Sequence, residues 1–209
     1  VESYLMDLWK YAIERAKAEQ AEMQQIADEE GAGIKIAGWD WWYYAEKLRK
    51  KKYNLEDNEI RPYFSIDNVV NGIFTLAGKL YGLKFERRSD ISAYHPEAMV
   101  FEVKEKNGQH LGILYFDFFP RPTKRSGAWT GGLRRQSYEN GKRVAPLVTI
   151  TCNFTRPTGD IPALLSLDEV ETCFHEFGHA LASLLAMGKY NNRFVPRDGV
   201  ELPSQIMEN

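Results

Sequence analysis

Cysteine is scarce in these 209 residues, no apolar run is long, and neither sign of charge prevails; each shortage removes a class of protein. Two cysteines, Cys152 and Cys173, cannot supply a disulfide framework, and both read as buried thiols, Cys173 inside a helical pattern. No stretch reaches the roughly 18 apolar residues of a membrane span. No basic-then-apolar leader opens the chain. The expectation is a soluble, cytoplasmic protein with no membrane partner. A net charge of -2 gives no clustered positive surface for phosphates, which argues against a nucleic-acid partner. The one basic run, Lys47 and Arg49 to Lys52, reads as the solvated face of a helix. Gly141-Lys142 lacks the spacing of a phosphate loop. The chain opens at Val1 within one helical pattern and stops at Asn209 within another, which reads as an excerpt of a longer protein.

What is present is an ordinary globular composition, 44% hydrophobic and 27% charged. From Ser3 to about Glu29, Leu5, Leu8, Trp9, Ala12, Ile13, Ala16 and Ile26 recur at three-to-four spacing and predict a long amphipathic helix ended by Gly31 and Gly33. A second helix is expected from about Asp40 to Lys52, with Trp39, Trp41, Trp42, Tyr43 and Tyr44 as core. Ser65 is placed to cap a third, whose inward face is Val69, Val70, Ile73, Phe74, Ala77 and Leu80, with Gly82 as the stop.

The periodicity then changes. Met99 to Lys104 and Gly112 to Phe119 read as strands joined through the Asn107-Gly108 turn, and Leu147 to Asn153 as a third strand. Ser166-Leu167-Asp168-Glu169 fits a capping box opening another helix, with Gly188 at its end. The fold class is therefore mainly α with a small β-sheet (α+β). Residues 1–90 form a helical segment, and residues 91–209 hold the strands and the last helix.

On that last helix His175 and His179 are four residues apart, so both rings leave one face and can reach a single metal ion. Glu176, beside the first of them, is positioned to take a proton from a metal-bound water and pass it to a leaving amine. A catalytic zinc site needs a third protein ligand and an open position. Glu201, at the head of Glu-Leu-Pro-Ser-Gln, and Glu208 are the downstream candidates; Glu201 opens what reads as a new helix after a returning loop. A His, His, Glu set around one Zn2+ is a hydrolytic arrangement rather than a closed structural one.

The stretch Phe174 to His179, with Asp168-Glu169-Val170-Glu171-Thr172 before it and Glu201-Leu202-Pro203-Ser204-Gln205 after it, resembles the thimet oligopeptidase and dipeptidyl carboxypeptidase family. Further landmarks fall in the family's order: Trp39-Asp40, Tyr44-Ala45-Glu46, Arg61-Pro62-Tyr63-Phe64, Tyr94-His95-Pro96, Tyr115 to Phe119 and Gly127-Ala128-Trp129. Phe116-Asp117-Phe118-Phe119 and Tyr94-His95-Pro96 look closer to the bacterial dipeptidyl carboxypeptidases than to the oligopeptidases. The resemblance implies His175, His179 and Glu201 as zinc ligands, Glu176 as general base, a zincin-like core, and a helical, two-lobed enzyme whose channel admits short unstructured peptides. It implies a metallopeptidase releasing C-terminal dipeptides. The alternatives are an endo-acting oligopeptidase or, for the excerpt alone, an inactive metal- or peptide-binding module. The family's Gly- and Tyr-rich substrate loop would follow Asn209, so the excerpt is expected to lack full activity.

Glu171, one turn before His175, and Glu208 are each placed to orient a ligand imidazole through its second nitrogen. Gly127, Ala128 and Trp129 are candidates for an edge that pairs with substrate backbone, the alternative being a flexible loop. His95 and His110 are singletons, read as structural and exposed respectively.

Overall fold

The structure, a computed structural model, describes residues 1–54, 57–159, 162–189 and 196–208. These form two compact units, Val1–Glu59 and Ile60–Asn209.

In the first unit, α1 (Glu2–Glu29) and α2 (Trp41–Tyr53) bury Met23, Ile26 and Ala27 against Ile36 and Tyr44. Gln24 ties the connection down: its amide donates to the Ile34 carbonyl (2.8 Å) and accepts from the Ile36 N–H (2.9 Å). The basic run is not merely solvated. Lys47, Lys51 and Lys52 reach Glu30, Glu29 and Glu22 as ion pairs on the surface, where solvent screens them. The expected aromatic core contracts to Tyr44, with Trp41 half-buried; Trp39 and Trp42 are 87% and 84% exposed. Consecutive helix residues point about 100° apart, so one packed face cannot take them all. Leu5, Leu8 and Trp9 are likewise exposed.

The second unit follows the one-turn helix α3 (Asp57–Ile60). Helix α4 (Ile66–Tyr81) starts where Ser65 Oγ accepts from the Asn68 N–H and ends at Gly82, whose φ of 70° lies in the left-handed region that favours glycine. Its Val69, Val70, Ile73 and Ala77 are buried, while Leu80, expected inside, is exposed. That face joins the core of the sheet, which is why the helix belongs with Ile60–Asn209 rather than with the leading helices, whereas the sequence division falls at residue 90.

The sheet has the order β1-β2-β3-β7-β4, built from β1 (Lys84–Arg87), β2 (Met99–Lys104), β3 (His110–Asp117), β4 (Trp129–Arg134) and β7 (Leu147–Thr151). β2 and β3 form the hairpin expected from Asn107-Gly108, and Gly108 takes φ 89°. β7 runs parallel to β3, with Ile113 opposite Leu147 and Asp117 opposite Thr151. β4 pairs antiparallel with the outer side of β7. β3 and β7 are buried along almost their whole length; β3 carries an almost continuous apolar run, and β7 alternates apolar residues with buried Thr149 and Thr151. A small hairpin, β5 (Ser137–Glu139) and β6 (Lys142–Val144), turns on Asn140-Gly141, both at positive φ.

Helix α5 (Leu167–Leu184) crosses this sheet and inserts Cys173, Phe177, Ala180, Leu181 and Leu184 into the core. Its capping box forms as the sequence predicts: Ser166 Oγ accepts from the Glu169 N–H (3.2 Å) and Glu169 Oε2 from the Ser166 N–H (2.8 Å). Glu169 Oε1 also accepts from the Thr155 N–H (3.2 Å), fastening the helix start to the end of β7. The helix stops before Gly188. There the Arg143 guanidinium donates to the carbonyls of Leu184 (3.2 Å) and Ala186 (3.4 Å), and to Leu111 of the sheet (2.8 Å), so a side chain from β6 serves in place of a glycine cap. Cys152 and Cys173 are free and buried, and burial pushes both thiols well above their ordinary range. Among the described residues no helix is long and apolar enough to cross a membrane.

Candidate metal centre and active site

The middle of α5 faces a cleft of about 760 Å³ whose opposite wall is the edge strand β4. Helix α6 (Leu202–Glu208) closes the cleft floor, locked to α5 by Met207 in the core and by Ser204, which is fully buried. The two helices approach at Gly178, where a Cβ would lie 2.3 Å from the Pro203 carbonyl oxygen and 2.6 Å from the Ser204 Cα. Only glycine permits this approach. Glu201, in the residue before α6, is thereby delivered to the histidine pair.

The three sequence candidates converge. Glu201 Oε2 lies 3.2 Å from His175 Nε2 and 3.0 Å from His179 Nε2, and the ligand atoms of all three lie within 4.8 Å of one another. The rings stand nearly perpendicular, 82° between planes, with centroids 5.0 Å apart. Ser204 Oγ donates to Glu201 Oε2 (2.8 Å); this bond, with the nearby imidazoles, outweighs the opposing effect of burial and holds the Glu201 carboxyl below its ordinary range. It is therefore anionic at neutral pH.

Glu208 Oε2 sits 2.6 Å from His175 Nδ1. A carboxylate can only accept, so His175 donates from Nδ1 and presents Nε2 toward Glu201 and His179. Glu171 has no such part: it is exposed and makes no hydrogen bond or ion pair among the described residues. The turn of α5 that carries it looks outward, and α6 supplies the carboxylate that the spacing alone assigned to either residue.

Two imidazole nitrogens and one carboxylate oxygen form a donor set suited to zinc. Bond lengths of about 2.0–2.1 Å at tetrahedral angles set donors about 3.3 Å apart. The two Glu201 edges, 3.0 and 3.2 Å, are close to that separation, so the residues fit the ion.

Glu176 lies between the histidines in sequence and is 6% exposed. Its Oε2 accepts from Thr130 Oγ1 (2.8 Å), a residue of β4 that sequence reasoning missed. The signal was faint, because Gly131 and Gly132 break the alternation that would mark a strand.

The candidate substrate segment precedes this contact. Gly127 takes φ 86°, Ala128 and Trp129 line the cleft, and Trp129 begins β4 opposite Thr151. It is anchored rather than free: Asn153 Nδ2 donates to the carbonyls of Arg125 (3.0 Å) and Gly127 (2.7 Å), and the Arg125 guanidinium lies 4.3 Å from the centre of the Trp129 ring. Upstream, Lys124 Nζ reaches the carbonyl (2.9 Å) and Oδ1 (3.0 Å) of buried Asp117, whose carboxylate also takes both arms of Arg121. Burial pushes the Asp117 carboxyl up, but the two cations outweigh it and hold the group below its ordinary range. Tyr94, which donates to Asp117 Oδ2 (3.1 Å), is pushed up to about 12, chiefly by burial.

Comparison with known proteins agrees with this arrangement. The profile of peptidase family M3 matches residues 1–209. Dipeptidyl carboxypeptidase of Escherichia coli is 40% identical over 99% of this chain and 31% of its own length. Oligopeptidase A of Salmonella typhimurium is 38% identical over 99% of the chain and 31% of its own length. Mitochondrial intermediate peptidase of Schizosaccharomyces pombe is 32% identical over 81% of the chain and 27% of its own length. The chain spans about a third of the length of the curated relatives it matches. With motif helix, sheet and leading helices all inside these alignments, the chain belongs to peptidase family M3.

Proposed function

We propose that this chain carries the metal-binding and base-bearing part of a zinc peptidase that hydrolyses short peptides, releasing dipeptides from their C-termini. The observation that carries the reading is the meeting of His175, His179 and Glu201 around one point beside the buried carboxylate of Glu176.

His175 and His179 would hold zinc through Nε2 and Glu201 through Oε2, in a zincin-like core. Zinc held there would supply a Lewis acid for a substrate carbonyl and lower the pKa of a water to about 7. Glu176 takes the proton of the attacking water on a carboxylate oxygen and returns it to the departing amine. Glu208 keeps His175 Nε2 aimed inward through its hydrogen bond at Nδ1. Trp129–Arg134, as the edge of the sheet, offers unpaired backbone to an extended peptide, with Gly127 and Ala128 leading into it. Backbone pairing of this kind suits short peptides of varied sequence.

Dipeptide release is supported by the 40% identity to a protein named dipeptidyl carboxypeptidase. The relatives named oligopeptidase A favour a second reading, internal cleavage. Mass spectrometry of digests by the full-length protein separates them. On the first reading, peptides with a free C-terminus lose dipeptides stepwise and C-terminally amidated ones survive; equal cleavage of amidated peptides at internal bonds establishes the second. Zinc retention without any hydrolysis would leave only a binding module.

The part given to Glu208 has its own test. Glu208→Ala is expected to weaken zinc binding about 10- to 100-fold in chelator competition. An unchanged affinity would mean that His175 is oriented by other means.

A further inference from the structure

The cleft's second wall supplies a group that the zinc motif does not contain. Thr130, on β4 opposite Ile150 of β7, turns its hydroxyl onto α5. Oγ1 lies 2.8 Å from Glu176 Oε2 and 2.7 Å from the Glu176 main-chain carbonyl oxygen. A hydroxyl has one proton to donate, so it is shared between the two acceptors of a single residue. Side chain and backbone of Glu176 are thus gripped from the same point on the sheet. Glu176 Oε1 accepts no hydrogen bond among the described residues, and Glu176 lines the cleft.

We propose that Thr130 is a positioning residue for the base: its hydroxyl pins Oε2 against the edge strand and so reserves Oε1 for the water's proton. The inference rests on Glu176 being the base. Two physical points carry it. A carboxylate that is 6% exposed has little water to orient it, so one protein donor decides its rotamer. Proton transfer also demands close placement, and a displacement of about an ångström at a reacting group costs on the order of 100-fold in rate.

The consequence reaches beyond orientation. β4 is also the strand whose edge faces the cleft, with Trp129, Gly131 and Gly132 along it. A peptide added to that edge and the carboxylate that serves it are therefore referred to one strand, and a shift of β4 moves both together. β4 lies close against β7 here: a Cβ on Gly131 would lie 3.0 Å from Thr149 Oγ1.

The test uses the full-length, zinc-loaded protein. Thr130→Val keeps the branched shape and β preference but removes the donor; Thr130→Ser keeps the donor and loses a methyl. Thr130→Val is expected to lower kcat about 10- to 100-fold with KM unchanged within about twofold, and Thr130→Ser to recover most of the loss. Thr130→Ala, a second deletion, should repeat the loss should the valine variant fold poorly. Zinc affinity in chelator competition should match the parent in every variant, because Thr130 touches none of the three metal-holding side chains. A Glu176→Gln background supplies the decisive comparison. There Thr130→Val should change the residual rate less than about twofold, since no base remains to be positioned. An equal loss in both backgrounds, a serine variant no better than valine, or normal kcat in Thr130→Val and Thr130→Ala would each overturn the proposal. Normal turnover in Glu176→Gln would instead overturn the base assignment itself.

Discussion

Glu176→Gln is expected to leave zinc bound at full occupancy and to lower kcat of the full-length protein about 10²- to 10⁴-fold. The two halves of the result have different causes. The proposed metal-holding atoms are His175 Nε2, His179 Nε2 and Glu201 Oε2, and Glu176 contributes to none of the contacts among them. An amide of the same shape still accepts from Thr130 through its oxygen, so packing around this buried position is preserved. What disappears is the capacity to take a proton and give it back. His179→Ala provides the contrast: losing one of two nitrogens removes zinc and hydrolysis together. Zinc content by atomic absorption, measured on the samples used for kinetics, distinguishes the two. Parental turnover in a fully loaded Glu176→Gln protein would show that the proton passes elsewhere.

Gly178→Ala should be nearly as damaging, although it alters no chemical group. The added methyl would sit 2.3 Å from the Pro203 oxygen and 2.8 Å from the Pro203 carbonyl carbon, contacts with backbone that no rotamer change relieves. Ordinary contact begins about an ångström further out, so α6 must retreat. Glu201, Ser204 and Glu208 all ride on that segment and would leave the histidines together. We expect zinc affinity to fall more than about 100-fold, beyond the loss of a single orienting carboxylate. Stability should drop about 1–3 kcal/mol, the usual cost of overpacking. Gly72→Ala is the control. That glycine is also helical but has nothing within 4 Å of its would-be Cβ, so alanine should stabilise by up to about 1 kcal/mol and leave zinc alone. A Gly178→Ala protein with parental zinc affinity would show that Glu201 is held in place by something other than this helix contact.

The parts of this site that the sequence disclosed are those encoded locally. His175 and His179 share a face because of helical pitch, and Ser166 with Glu169 marks the helix start because unpaired amides there need acceptors. Asn107-Gly108 announces its hairpin because a type of turn demands it. Parts that depend on long-range packing stayed hidden. Nothing near Glu171 or Glu208 indicates which of them meets His175, since the answer lies in the approach of α6 at Gly178. Thr130 is invisible for the same reason: its role arises from the docking of β4 beside β7, and two glycines blur the strand's own pattern. The row of tryptophans and tyrosines in α2 misled in the opposite direction, because apolar character sets a preference for burial but the helix offers one packed face.

The sheet's strand order carries a further implication, for the sequence of events in folding. β3 and β7 are parallel neighbours, so their pairing must close the whole loop of residues 118–146 before any of its contacts is rewarded. β4 lies inside that loop yet pairs with the far side of β7. That pairing closes only residues 135–146, so by loop length it can precede the docking of β7 on β3. The hydroxyl of Thr130 reaches Glu176 only once this strand pair and α5 have packed together, which makes the environment of Glu176 a product of tertiary assembly rather than a property of the motif helix.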